Sequence, residues 1–238
     1  MARQYFEDLV TNESLDAIVI GLDLSPQNRV LSICGSGDQA FAILEKAREI
    51  TLVDSRENQI NYALNRKKML LAEDFKGFLN PGIEPKDLCE SACLDENLAY
   101  FSAHRIARIS EKVKNPESLK VKIGNIYNID LQNEKFDRIY LSNSIGYGSN
   151  TLNFDLTDER LGSIAPALTS DGLIYVTDGM QVLARSRIDG KSRILAHLGL
   201  KINEPLTSKT QRLQQFKAKS KFWANYWMPV VLEKVENN

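Results

Sequence analysis

The feature that most constrains this chain is a short turn, Cys34-Gly35-Ser36-Gly37-Asp38, set between two runs of different period. Before it, Arg29-Val30-Leu31-Ser32-Ile33-Cys34 has the apolar, β-branched character of a buried strand. After it, Phe41, Leu44 and Ala47 recur at helical spacing across residues 38–47. A second apolar run, Ile50-Thr51-Leu52-Val53-Asp54, follows at once. Strand, glycine turn, helix and strand make the βαβ unit of a parallel sheet. Glycine at 35 and 37 lets the backbone turn sharply and approach a ligand. A helix starting near Asp38 adds unpaired N–H groups and the positive end of its dipole.

The rest of the chain extends this alternation. A second helix is expected over Asn58–Leu71, with Ile60, Leu64 and Leu71 apolar and Arg66, Lys67 and Lys68 largely on the wet side. Residues 74–113 hold no convincing strand and read as a helical insertion or lid, broken at Asn80-Pro81-Gly82 and near Cys93-Leu94-Asp95. Strands are expected at 119–123, 136–142 and 172–178, the last after a helix at about 158–168 and a Ser170-Asp171-Gly172 turn. A helix at 181–198, a strand near 200–202 and a closing strand over 221–233 complete the pattern, with Pro229 placing that last strand at or near an edge. The sum is a single α/β domain over residues 1–238, a Rossmann-like doubly wound sheet of about seven strands with helices on both faces.

In such a sheet a ligand settles at the carboxyl ends of the strands, where strand order reverses. A G-x-G-x-x-G fingerprint would need glycine where Ala40 stands; alanine is tolerated there, so a dinucleotide stays open. A P-loop is excluded, because no Gly-Lys-Ser/Thr follows the turn. Asp54 lies 17 residues after Gly37, at a strand end where a carboxylate can accept hydrogen bonds from both ribose hydroxyls of an adenosine. A plain strand-to-helix turn, with Asp54 capping the helix after it, is the bland alternative. Gly124-Asn125-Ile126-Tyr127 follows the third strand, where adenine would lie. The loop Ser142-Asn143-Ser144-Ile145-Gly146-Tyr147-Gly148 follows the fourth and would face the reacting end of the ligand.

The segments Arg29-Val-Leu-Ser-Ile-Cys-Gly-Ser-Gly-Asp-Gln-Ala40 and Ile50-Thr-Leu-Val-Asp-Ser-Arg-Glu-Asn-Gln59 resemble the first two motifs of S-adenosylmethionine-dependent methyltransferase-fold proteins. The chain is most similar to the S-adenosylmethionine:diacylglycerol 3-amino-3-carboxypropyltransferases of betaine-lipid synthesis. Tyr5-Phe6-Glu7-Asp8, the run Gln59…Leu64-Asn65-Arg66-Lys67…Phe75-Lys76-Gly77-Phe78-Leu79, and Phe136-Asp137-Arg138-Ile139-Tyr140-Leu141 carry that similarity. It extends over roughly residues 4–80 and thins beyond, the chain is much shorter than those enzymes, and Ser55-Arg56 stands where they carry Asn-Pro.

The resemblance implies a class I methyltransferase-type sheet, whose long terminal strand a flavodoxin-type sheet lacks. It implies S-adenosylmethionine as cofactor, contacted by Tyr5, Cys34, Gly35, Ser36, Gly37, Gln39, Asp54, Ser55, Gln59, Asn125, Ile126 and Ser142. The reaction it implies is transfer of the 3-amino-3-carboxypropyl group to a small or lipid-like nucleophile, releasing methylthioadenosine. Methyl transfer on the same fold and a non-catalytic adenosyl-ligand-binding protein are the alternatives. Tyr147, Asn143 and Asp178 are the catalytic candidates, with Tyr5 and Glu7 if the N-terminal segment folds over the site. Asp178-Gly179 also reads as a turn, and Tyr147 as a packed aromatic.

Other signals point to no second chemistry. A formal net charge of −1 gives no global attraction for a polyanion, so no nucleic-acid partner is expected. The basic run from Lys209 to Lys221 beside Phe222 and Trp223 reads as a solvated loop leading into the last strand. Cys89, Cys93 and His104 lack a fourth ligand and dense spacing, so no metal is expected. Cys34 has no adjacent base in sequence and is not expected to act as a nucleophile. No apolar run approaches the roughly 18 residues of a membrane span. Three cysteines in a chain too large to need disulfide staples point to a reducing, cytoplasmic setting.

Overall fold

A computed structural model describes residues 11, 13–79, 98–146, 154–177, 182, 195, 197–217 and 228–235. The glycine turn joins β1 (Arg29–Ile33) to α2 (Asp38–Lys46), and β2 (Glu49–Asp54) follows, as the sequence pattern requires. Ahead of them lies α1 (Leu15–Gly21), a helix the periodicity does not reveal because it spans only 7 residues. Its signal is a cap: the Ser14 hydroxyl accepts a hydrogen bond from the Ala17 N–H at 3.3 Å. Next come α3 (Glu57–Leu71), α4 (Phe75–Leu79), α5 (Ala103–Val113), β3 (Leu119–Ile123), β4 (Phe136–Ser142), α6 (Phe154–Ile164) and β5 (Leu168–Val176). The chain then forms β6 (Leu200–Ile202), α7 (Glu204–Lys217) and β7 (Val230–Lys234).

The strands form one 7-stranded sheet in the order β3-β2-β1-β4-β5-β7-β6. All neighbours run parallel except β7, which is antiparallel to both β5 and β6. Successive side chains of a strand point to opposite faces, and the core divides accordingly. Val30, Leu52, Tyr140, Tyr175 and Val231 join the cluster beneath α1, α2, α3 and α5. Their neighbours Leu31, Val53, Ile139, Ile174 and Val230 join the cluster that contains Leu161 and Ile164 of α6. The order reverses between β1 and β4, so the crevice above their carboxyl ends is where this topology places a ligand.

Three expectations need correction. Residues 204–217 form a helix, not a solvated loop. Its buried face is polar, with Thr207, Thr210 and Gln214 all enclosed, so no apolar stripe announces it. Thr207 Oγ1 accepts from the Val231 N–H at 3.0 Å, and Gln214 Oε1 accepts from the Ser14 N–H at 2.8 Å. Second, the helix expected at about 158–168 is α6 at Phe154–Ile164, closed by a 3-10 turn at Ala165–Ala167 that contains Pro166. Strand β5 therefore begins at Leu168, and Ser170-Asp171-Gly172 lies inside it at a register shift between the Phe136–Leu168 and Arg138–Leu173 pairs. Third, Arg66, expected largely on the wet side of its helix, is 3% exposed and buried against Asp38; the closing strand β7 does lie near the edge, one strand in from β6, with Pro229 just before its first residue.

Of the expected helical insertion, α4 and α5 join the main core, with Phe78, Ile106, Ile109 and Val113 buried there. Residues 80–97, most of 178–196 and 218–227 lie outside the described residues, with Cys89 and Cys93 among them.

Gly21 closes α1 directly against β5 and α7. A Cβ there would stand 2.6 Å from the Tyr175 ring and 2.7 Å from Thr210 Cγ2. Alanine gains up to about 1 kcal/mol of helix propensity, but displacing packed groups on two elements costs about 1–3 kcal/mol. Gly21→Ala is therefore expected to lower the urea midpoint. A variant as stable as the parent would show that the α1–α7 contact yields.

Candidate functional site

The site is built on the turn after β1. Gly35 and Gly37 both have left-handed backbone, with φ of +46° and +81°. At 37 only that angle demands glycine, since a Cβ would meet Ala63 at an ordinary 3.5 Å; at 35 it would also strike the Gln39 amide nitrogen at 2.5 Å. The Gln39 amide braces the turn, donating from Nε2 to the Cys34 carbonyl at 2.9 Å and accepting from the Ser36 hydroxyl at 3.0 Å.

Beneath the turn lies a buried ion pair. Arg66 Nη1 of α3 meets Asp38 Oδ1 at 2.5 Å, with side-chain exposures of 3% and 8%. The guanidinium also donates to the Phe78 carbonyl at 3.2 Å and the Ser36 carbonyl at 3.4 Å, and lies 4.5 Å over the Phe78 ring and 5.3 Å over Phe41. Asp38 Oδ2 accepts from the Thr11 N–H at 3.3 Å, which ties the N-terminal segment to the start of α2.

Asp54 ends β2 and is 7% exposed. Its carboxylate is aimed by two backbone amides, accepting from Gly35 N–H at 3.2 Å and from Arg56 N–H at 3.0 Å. A carboxylate offers about four acceptor sites, so this anchoring leaves capacity for two hydroxyls. Asp54 thus both caps the entry to α3 and faces the cavity.

The cavity has a volume of about 270 Å³ and opens at the carboxyl ends of β1 to β4. Of the expected contacts, Gly35, Ser36, Gln39, Asp54, Ser55, Asn125, Ile126 and Ser142 line it, with the catalytic candidate Asn143. Cys34, Gly37 and Gln59 do not line it. Cys34 and Gln59 are fully enclosed behind the turn, where the Cys34 thiol donates to the Gln59 carbonyl at 3.6 Å. Tyr5, Glu7, Tyr147 and Asp178 lie outside the described residues.

Sequence reasoning missed Thr11, Glu13, Arg56 and Arg160, which also line the wall. Arg160 of α6 donates to the carbonyls of Ser144 at 2.7 Å and Ile145 at 2.8 Å, and its guanidinium lies 5.3 Å from the Tyr127 ring centre. The Tyr127 and Ser144 hydroxyls share a hydrogen bond of 2.5 Å, so the loops after β3 and β4 are tied together. Glu13 accepts from the Tyr140 hydroxyl at 2.7 Å and from the Ser142 hydroxyl. Ser142 has φ of +51°, a conformation costing a non-glycine residue roughly 1–3 kcal/mol. The Glu13 contact and a 2.9 Å bond from the Thr177 N–H to the Ser142 carbonyl hold it there. No spacing rule links residue 13 to residue 142, so no sequence signal pointed to this pair.

A second hollow of about 530 Å³ lies at the opposite end of the sheet, beside Pro166, His197 and Lys234. The Lys234 ammonium is taken up by the carbonyls of Ala165 and Leu168 at 2.9 and 3.2 Å. Among the described residues, Ser170, His197 and Lys234 are the polar side chains that line it, and no carboxylate stands among them.

Two outcomes are expected. Arg66→Met strands the Asp38 carboxylate, and breaking such a pair costs about 3–5 kcal/mol. Urea unfolding should show that loss, and the Asp38→Leu/Arg66→Met pair should cost less than the two single changes summed. The Cys34 thiol is pushed from its ordinary value of 9.0 up to about 12, by burial first and by the Asp54 charge second. The folded state then holds this proton after the unfolded chain has released it. The Cys34 contribution to stability is flat below about pH 9 and falls above it, by at most about 1.4 kcal/mol per pH unit. Burial also raises Tyr62 and Tyr140, with the same sign. Cys34→Ala should make the alkaline slope shallower; an unchanged slope would contradict the assignment.

No protein-family profile matches the chain, and no curated protein matches it in sequence. Solved structures do match. The N-methyltransferase NodS from Bradyrhizobium japonicum, in complex with S-adenosyl-L-homocysteine, aligns with 94% of this chain and 86% of its own at 10% identity and a TM-score of 0.50. The YcgJ protein from Bacillus subtilis aligns with 94% of this chain and 99% of its own, at 11% identity and a TM-score of 0.49. A TehB-like SAM-dependent methyltransferase from Corynebacterium glutamicum aligns with 93% and 88%, at 12% identity and a TM-score of 0.47. Such identities speak to the fold alone. With the strand order and the antiparallel β7, the NodS match identifies it as the Rossmann-like class I methyltransferase fold.

Proposed function

We propose that the cavity binds S-adenosylmethionine and that the protein is an S-adenosylmethionine-dependent transferase. The observation that carries this reading is the Asp54 carboxylate, fixed by the Gly35 and Arg56 amides on the wall of a cavity at the strand-order reversal. A nucleoside placed there has a partner for each part. Asp54 takes the ribose hydroxyls. Ile33 and Ile126 offer apolar surface to the adenine, and Asn125 offers a polar edge contact. The Gly35-Ser36 turn and the start of α2 accommodate the amino-acid portion. The NodS complex supports the choice of ligand through the shared fold.

The bound cofactor would supply an electrophilic sulfonium with three carbons open to attack. This chain's residues then supply position and dryness: the loops after β3 and β4, tied by Tyr127, Ser144 and Arg160, hold an acceptor in line and exclude water. A proton acceptor is needed only if the nucleophile carries a proton. Asn143 on the wall, with Tyr147 and Asp178, remain the residues proposed for that end of the site.

The reading we favour is transfer of the 3-amino-3-carboxypropyl group to a small or lipid-like nucleophile in the cytoplasm, on the strength of the resemblance over residues 4–80. Methyl transfer is the second reading, and the NodS fold match favours it. The nucleoside product decides. Incubated with S-adenosylmethionine and a panel of acceptors, the protein should release methylthioadenosine; S-adenosylhomocysteine would replace the first reading with the second. Asp54→Asn, which keeps one acceptor oxygen but removes the charge, should weaken S-adenosylmethionine binding by about 10-fold. Undiminished affinity in a calorimetric titration would contradict the ribose assignment.

A further inference from the structure

Two carboxylates line the cavity among the described residues, Asp54 and Glu13. Asp54 ends β2, whereas Glu13 bonds the hydroxyls of Tyr140 and Ser142 on β4, and β1 lies between those strands. The carboxylates therefore flank the glycine turn on opposite sides. The strands β2 and β4 that carry Asp54 and the partners of Glu13 lie two strand spacings apart, about 10 Å, the reach of a nucleoside carrying a short charged side chain. Glu13 is 1% exposed, and an ionised group so enclosed is costly unless polar partners surround it.

The segment that carries Glu13 is fastened on both sides. Thr11 N–H donates to Asp38 at 3.3 Å, Glu13 N–H donates to the Thr11 hydroxyl at 3.3 Å, and Ser14 N–H donates to Gln214 of α7 at 2.8 Å. The carboxylate is thus set before any ligand arrives, and it requires Ser142 to keep its left-handed backbone. A buried carboxylate held at the far end of a nucleoside site, by a segment tied to the start of α2, matches a cation on the ligand.

We propose that Glu13 is the subsite for the positively charged end of the nucleoside, the ammonium and sulfonium of its amino-acid portion. The inference rests on the nucleoside reading of the same cavity. Glu13 then separates charged adenosyl ligands from neutral ones, and it favours product exit in aminocarboxypropyl transfer. Methylthioadenosine has lost both cations and leaves nothing for Glu13 to hold.

Calorimetric titration of the wild-type protein and Glu13→Gln with S-adenosylmethionine, S-adenosylhomocysteine and methylthioadenosine tests this. Glutamine retains an acceptor oxygen for Tyr140 and Ser142 but carries no charge. The expected result is a loss of about 10- to 100-fold in S-adenosylmethionine affinity, with methylthioadenosine affinity within about 2-fold of wild type. An equal loss for S-adenosylhomocysteine assigns the contact to the ammonium; a loss confined to S-adenosylmethionine assigns it to the sulfonium. Unchanged S-adenosylmethionine affinity, or equal losses for it and methylthioadenosine, overturns the proposal. If Glu13→Gln does not fold, Glu13→Asp carries the test: it must weaken S-adenosylmethionine more than methylthioadenosine, and equal weakening overturns it. A wild-type protein that binds none of the three refutes the nucleoside reading itself, an outcome distinct from any seen only in the variants.

Discussion

The buried pair between Arg66 and Asp38 is the interaction on which the site depends. Taking two charges out of water costs several kcal/mol per ion, and their attraction only roughly repays it. Its value is therefore positional. One guanidinium holds the first residue of α2, the carbonyl of Ser36 in the glycine turn and the carbonyl of Phe78 at the end of α4. The edge-to-face contacts of Phe78 with Phe41 and Phe101, at 5.1 and 5.4 Å, wall it in and keep water away. The other oxygen of Asp38 receives the Thr11 amide, and through that bond the N-terminal segment and Glu13 are placed.

From that anchor the chemistry of the cavity follows in steps. The strand order reverses between β1 and β4, which opens a crevice where no helix crosses from one strand to the other. The turn of β1 brings backbone into it, β2 contributes Asp54, and β4 contributes the strained Ser142. Strain at Ser142 persists because neighbours over-determine it: Glu13 holds its hydroxyl and Thr177 its carbonyl. The cavity carries its negative groups, Asp54 and Glu13, on either side of the turn, and its guanidinium groups on Arg56 and Arg160. A ligand with a diol at one end and a cation at the other suits that pattern.

Much of this was legible in the sequence because it rests on local period and on turn chemistry. The βαβ unit around Gly35 and Gly37, the strand end at Asp54 and the loops at Asn125 and Ser142 all follow from residues adjacent in the chain. What stayed hidden depends on contacts between distant residues. Helix α7 buries Thr207, Thr210 and Gln214, side chains that satisfy neighbouring elements by hydrogen bonds and give no hydrophobic stripe. Ser170-Asp171-Gly172 has turn composition, yet the β4 partner absorbs it as an irregularity inside β5. The resemblance implies contacts from Cys34, Gly37 and Gln59, but these three do not line the cavity, and Cys34 and Gln59 are enclosed and bonded to each other. Glu13 and Arg160 reach the cavity only through the tertiary fold.

In the proposed binding mode Asp54 holds the ribose of an adenosyl ligand above the turn of β1. A crystal structure of the protein grown with S-adenosylhomocysteine tests it most directly. The proposed binding mode puts both ribose hydroxyls within about 3.2 Å of the Asp54 carboxylate, with the adenine against Ile126 and the amino-acid portion beyond Gly35 toward Glu13. A nucleoside seated elsewhere, or seated here with its ribose away from Asp54, would contradict it.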